Sequence, residues 1–217
     1  MFPILAQIHQ AAPALPPAIA QRALDAATCA GRKARHLLIA DMSQPSSHPR
    51  LWVLDLTNRN QPELIARTFV AHGAGSDPTS RGVAQKFSNI PDSNATSLGL
   101  YQVAESYVMA HHPKGYRLDG LTTGWDDQAR TRGVVLHPAS YVSLSGNVGR
   151  SNGCPALNPT VFNQLDKEGA LAGSLLWIDG PGAPTISCPA AQSPWPVTVS
   201  PVWVAAAAPA CSPREPS

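Results

Sequence analysis

Cys154 lies in the polar stretch GRSNGCPALNP (residues 149–159), preceded by Arg150, Ser151, Asn152 and Gly153. A cysteine that merely fills a core has apolar neighbours. One placed after a glycine in a polar loop, just ahead of a helix start, has the surroundings of a reactive thiol. Seventeen positions earlier, His137 ends the apolar run GVVLH. A strand end, a polar excursion and a return can bring an imidazole beside a thiol. The chemistry needs that approach, because the thiolate is the species that attacks a carbonyl. A nearby imidazole lowers the thiol pKa from its free value of about 8.5 and then shuttles the proton. Gly153 frees the backbone to aim amide N–H groups near Cys154 at a developing oxyanion. A cysteine and a histidine at this separation also occur by chance, so the pair alone leaves an incidental cysteine in a β-rich domain as the other reading.

The elements that must position these residues are mostly strands. HLLIADM (36–42), RLWVLDL (50–56) and LIARTFVAHG (64–73) are β-rich runs parted by the turn-forming SQPSSHP and TNRNQP, a pattern that predicts an antiparallel meander. Strand signals return at 98–108, 117–121, 133–137 and 141–143, and GSLLWIDG (173–180) reads as a last core strand. Asn158 as cap, Pro159 in the first turn and Gly169 as terminator predict a short helix over 158–169. A weak apolar stripe predicts another near 18–33, after a Pro/Ala-rich lead. The polar stretch 74–97 is too long for an ordinary connection, which makes it a candidate lid, and loops of this size are usually functional or disordered. This divides the chain into a helical lead (1–35), a catalytic unit (36–180) and a Pro/Ala-rich extension (181–217), the last a candidate lid or a set of irregular edge strands.

Composition excludes several classes of function. A net charge of +2, with no Lys/Arg cluster and few aromatics, argues against nucleic-acid binding. No apolar run approaches the ~18–20 residues of a membrane span. The N-terminal stretch lacks the basic start and unbroken apolar run of a signal peptide, so the chain reads as cytoplasmic or as an exported mature chain. Neither the four cysteines nor the seven histidines show zinc-ligand spacing, so no metal and no cofactor is expected, and His111–His112 reads as a solvated loop. Cys188 and Cys211 can pair in an oxidising compartment, or they and Cys29 are inert thiols.

Over residues 36–180 the sequence resembles the L,D-transpeptidase catalytic domain, in particular its second YkuD-like branch. The resemblance runs through LLIADMSQPSSHPRLWVLDL, FVAHGAGS, FSNIPDSNATSLGLYQV, GLTTGWDDQARTRGVVLHPASYVS, GRSNGCPALNP and GSLLWIDG, in that order. It implies a mainly β fold, a sandwich or barrel-like sheet with a few short helices. It also implies a peptidoglycan enzyme: a cysteine acylated by the diaminopimelate carbonyl of a tetrapeptide stem releases D-Ala and passes the acyl group to an amine of a second stem. By motif position Cys154 is the nucleophile, His137 the base, and Ser151 and Gly153 complete the Ser-x-Gly-Cys core. The group orienting His137 falls near 145–151. The commoner motif has His before Gly-Cys and Arg soon after it; here Asn152, Pro155 and Ala156 stand there. That departure favours the stem's L-Ala amine over the diaminopimelate amine as acceptor and leaves Arg150 as a cation for a substrate carboxylate. Asn152, His72, Tyr141 and Arg132 are the other candidate substrate contacts. Peptidoglycan stems place the chain in the periplasm. An L,D-carboxypeptidase and a non-catalytic wall-binding domain remain alternatives.

Overall fold

The computed structural model describes residues 3–109, 112–186 and Cys188. Its centre is one eight-stranded sheet in the order β3-β2-β1-β8-β4-β5-β6-β7. The first three strands, β1 (His36–Asp41), β2 (Leu51–Asp55) and β3 (Glu63–Thr68), form the expected antiparallel meander. β8 (Leu175–Asp179) then runs parallel to β1, Leu38 opposite Leu176, and carries the sheet into β4 (Gly99–Met109), β5 (His112–Gly120), β6 (Val135–Pro138) and β7 (Ala156–Leu157).

Past β3 the chain continues to the far edge, where the Ala71 amide donates to the Ala156 carbonyl at 2.9 Å. That bridge joins the two edges, so the fold is mainly β with a nearly closed, barrel-like sheet. Closure satisfies edge groups that would otherwise recruit other strands.

β1 shows why the sheet sits between two cores. All six of its residues are buried. Its period-2 alternation sends Leu38 and Ala40 into the barrel interior with Tyr101, Leu136 and Leu176, and Leu37 and Ile39 outward against Trp52, Leu54 and Trp177. The outer face is covered by α1 (Pro3–Ala11) and α2 (Pro17–Cys29), whose Ile8, Ala23 and Leu24 belong to the second cluster. Arg22 clamps α2 to β8 with paired 2.8 Å bonds to Asp179.

Several elements differ from expectation. The lead contains a helix, α1, ahead of the expected one. α2 stops at Cys29 because Gly31, at φ +61°, turns the chain so that Arg32 N–H bonds Ala27 O. The strand expected at 141–143 shrinks to one bridge, Val142–Val148. α3 (Pro159–Lys167) forms as expected, capped by Asn158 accepting from Thr160 N–H. Cys188 is bonded to Cys29, not to Cys211, which corrects the sequence-based pairing. Cys211 and the edge strands expected in the extension lie outside the described residues. Among the described residues no helix is long and apolar enough to cross a membrane.

Candidate active site

Closure of the sheet builds the site. β7 returns parallel to β6, with His137 opposite Ala156 and its amide donating to Pro155 O at 3.3 Å. Cys154 is thereby set beside β6 just before β7 begins. It is the free cysteine among the described residues and is partly exposed. Burial pushes its thiol pKa up, while a hydrogen bond from the Val135 amide and the charge of Arg132 pull the other way.

The turn bearing Cys154 is pinned from several sides. Ser151 N–H donates to His72 O at 3.0 Å, and Ala74 N–H donates to Ser151 O at 2.7 Å. Ser151 Oγ donates to Cys154 O at 2.6 Å and accepts from Gly153 N–H at 3.1 Å. Gly153, at φ +116°, has a conformation costly for any other residue, and a Cβ there would stand 3.0 Å from Ala95 O. Gly73 faces it so closely that a Cβ on Gly73 would lie 2.7 Å from Gly153 Cα. The Gly153 amide is thus engaged, and Pro155 has none to offer.

His137 is buried on β6, 6% exposed. Its Nδ1 lies 3.0 Å from Pro138 O. A carbonyl only accepts, so Nδ1 carries the proton in this contact and Nε2 is the basic nitrogen. The neighbouring Pro138 carbonyl thus holds the ring in this orientation. The Tyr141 ring stands edge-on to the imidazole, centroids 6.5 Å apart. Tyr141 is 37% exposed, and burial together with the Cys154 charge pushes its hydroxyl up to about 12. Asn152 and Arg150 are exposed on the same turn, and Arg150 Nη1 donates to Asp77 O at 2.6 Å.

Two expected substrate contacts are placed otherwise. His72 is fully buried, so its ring cannot line a cleft. Its Nδ1 takes a 2.7 Å bond from Arg50 Nη2, and burial, with Arg50 next, lowers its pKa to about 4. It stays neutral under the turn it supports through its carbonyl. Arg132 has both Nη groups committed inside the protein, to Ser88 O (2.9 Å), Ser97 Oγ (3.2 Å), Ser93 Oγ (3.3 Å) and Ala95 O (2.6 Å). No Nη donor remains for a substrate carboxylate. Arg130, by contrast, is ion-paired with Glu105 and Asp119.

The 74–97 stretch is wall rather than flap. Asp77 is buried and accepts from Arg81 N–H (3.1 Å) and Gly82 N–H (2.8 Å), while Gly75 N–H bonds Asn94 O at 2.9 Å. Sequence reasoning missed Arg50, Asp77 and Asp126, all fully buried. The one signal for Arg50 is a charge fused to the apolar run LWVL. Among the described residues no group of three or more His, Cys, Asp or Glu is placed to hold a metal ion.

The profile of the L,D-transpeptidase catalytic domain family matches residues 12–177. The chain belongs to that family. No curated protein matches its sequence. Among solved structures it is similar to an L,D-transpeptidase from Mycobacterium smegmatis, at 15% identity and TM-score 0.41, over 68% of this chain and 60% of that one. It is also similar to the Campylobacter jejuni helical cell shape determining protein Pgp2, at 11% identity and TM-score 0.47, over 71% and 49%. The chain spans 60%, 48% and 59% of the first three structures it matches.

Proposed function

We propose that this chain is a cysteine-dependent peptidoglycan L,D-transpeptidase. The observation that carries the reading is the pinned turn: Ser151, Gly73 and Gly153 fix the free cysteine beside the strand that bears His137. Because burial holds the thiol up, the resting nucleophile is the thiol, and His137 Nε2 takes its proton as Cys154 Sγ attacks the diaminopimelate carbonyl of a tetrapeptide stem. The tetrahedral oxyanion is met by amides of the turn. With the Gly153 amide engaged by Ser151, Cys154 N–H is the foremost donor. The imidazolium then protonates the departing D-Ala, leaving a thioester. An amine of a second stem, deprotonated by the same imidazole, attacks the thioester and releases Cys154. The stem's L-Ala amine is favoured as acceptor over the diaminopimelate amine, on the absence of the usual His and Arg around Cys154.

Tyr141, Asn152 and Arg150 form the exposed rim that meets the substrate. The Cys29–Cys188 disulfide supports export to the periplasm, because such bonds persist in oxidising compartments. The test is incubation of the full chain and of Cys154→Ala with disaccharide-tetrapeptide muropeptides, read by fragmentation mass spectrometry. The expected product is a dimer lacking one D-Ala that requires Cys154, its fragments giving the acceptor amine. Tripeptide alone makes the protein an L,D-carboxypeptidase. No turnover in either version makes it a binding domain.

A further inference from the structure

Arg132 is a cation with no carboxylate partner among the described residues. Its four Nη bonds run to two backbone carbonyls and two serine hydroxyls, all neutral. Its Nε is buried with no hydrogen-bond partner. None of the ion pairs among the described residues includes it, although Arg130, two positions earlier, has two. An arginine partly withdrawn from water and left without an anion loses hydration and gains no Coulomb attraction in return. Such a charge is expected where an anion forms only transiently.

The place where an anion forms is adjacent. A Cβ on Gly153 would lie 3.4 Å from Arg132 Nη2 and 3.0 Å from Ala95 O, the carbonyl that Nη2 binds at 2.6 Å. Gly153 immediately precedes Cys154. The guanidinium therefore lies against the nucleophile's turn, on the side formed by the 88–97 stretch. Arg150, on the same turn, is exposed to solvent with its Nη1 held by Asp77 O at 2.6 Å, and the remaining titratable neighbours of Cys154 supply no fixed positive charge. Tyr101 on β4 and Tyr141 after β6 are neutral or, if ionised, negative. His137 on β6 is the proton acceptor of the proposed mechanism, so its charge comes and goes with the thiol proton and is not fixed.

We infer that Arg132 is a positioning residue that binds the 88–97 wall to the nucleophile's turn and holds a fixed positive charge for the Cys154 thiolate and the oxyanion that follows it. This rests on the proposed role of Cys154 as nucleophile and assigns that site a source of charge on a different loop from the cysteine. It replaces the expectation that Arg132 binds a substrate carboxylate.

The test reads the thiol without substrate, so it is independent of acyl transfer. The rate of Cys154 alkylation by iodoacetamide is followed against pH on the full, oxidised chain, with peptide mass spectrometry separating Cys154 from Cys211. Arg132→Met removes the charge and the bonds. Arg132→Gln removes the charge and keeps a donor for the wall. Arg132→Lys keeps the charge. Losing the charge is expected to raise the alkylation midpoint by about one pH unit, equivalent to about a tenfold slower reaction at neutral pH, with Arg132→Lys restoring most of it. Ser93→Ala with Ser97→Ala loosens the wall but leaves the charge, and is expected to leave the midpoint in place. An unchanged midpoint in folded Arg132→Gln, or in folded Arg132→Met, overturns the proposal. So does a midpoint shift in the serine variant as large as in Arg132→Gln. In either case Arg132 is merely structural, whatever the muropeptide assay gives.

Discussion

Asp126→Asn is expected to stabilise the protein increasingly as pH rises. Asp126 is fully buried in the segment between β5 and β6 that also carries Arg132. One carboxyl oxygen accepts from Thr122 N–H at 2.7 Å, the other has no hydrogen-bond partner, and no cation among the described residues is paired with the group. Burial pushes its pKa from 3.8 up to about 8. A folded pKa above the unfolded one means that the native chain holds a proton which the unfolded chain has lost. Stability therefore falls as pH rises from about 4 to about 8 and is level beyond. Each pH unit in that window is worth about 1.4 kcal/mol, so the step from pH 5 to pH 8 has a ceiling of about 4 kcal/mol; about half of it survives if the buried carboxylate relaxes. Asparagine keeps the acceptor for Thr122 N–H, places an N–H₂ where the orphan oxygen lies, and does not titrate. Urea unfolding of both proteins at pH 5 and pH 8 measures the effect as the change in their stability difference. An advantage of the Asp126→Asn variant that grows by about 2–4 kcal/mol supports the reasoning. A difference constant to within about 0.5 kcal/mol refutes it and returns Asp126 to an ordinary ionised carboxylate.

Two further substitutions probe the site and its frame. Gly153→Ala adds a methyl group 3.0 Å from Ala95 O at φ +116°. A side chain in that conformation costs about 1–3 kcal/mol, so Tm drops and Cys154-dependent turnover falls by about 5- to 150-fold, whereas wild-type turnover would show that the turn does not need the glycine. Cys29→Ser opens a disulfide spanning 159 residues of sequence. Chain entropy puts the loss at about 2–5 kcal/mol, read as a Tm about 5–15 °C lower under oxidising conditions, and a Tm unchanged from the oxidised wild type would show that the bond constrains little.

Most of the fold is legible in the sequence because its strands carry strong local patterns. β1, β2 and β8 are short, almost wholly apolar runs bounded by turn residues, as buried strands must be. β7 escapes because two residues, Ala156 and Leu157, carry no period; they are a strand only because β6 lies beside them. α1 escapes because prolines hide it, although Pro3 starts the helix and Pro13 comes after its end, positions a helix tolerates. That Cys154 and His137 come onto neighbouring elements rests on residue types and on a strand end followed by a polar excursion and a return, all visible in the sequence. The standing of His72 and Arg132 is not, since it depends on which backbone carbonyls and which second arginine surround them. Nothing in the spacing of four cysteines singles out a pair 159 residues apart.

The closure that seats Cys154 also bears on how the chain acquires its disulfide. Cys154 precedes Cys188 in the sequence, so under oxidising conditions a chain extended from its N-terminus offers Cys29 the wrong partner before the right one. Thiol–disulfide exchange runs through thiolates that can reach the bond under attack. Once β7 docks on β6 and joins Ala71, Cys154 is half-buried and its thiol is held up, while Cys29 at the end of α2 lies within bonding distance of Cys188. If sheet closure precedes oxidation, the partly buried Cys154 thiol is withdrawn from exchange before Cys29 meets Cys188. The same packing that sets Cys154 beside β6 keeps it apart from the bond that staples Cys29 to Cys188.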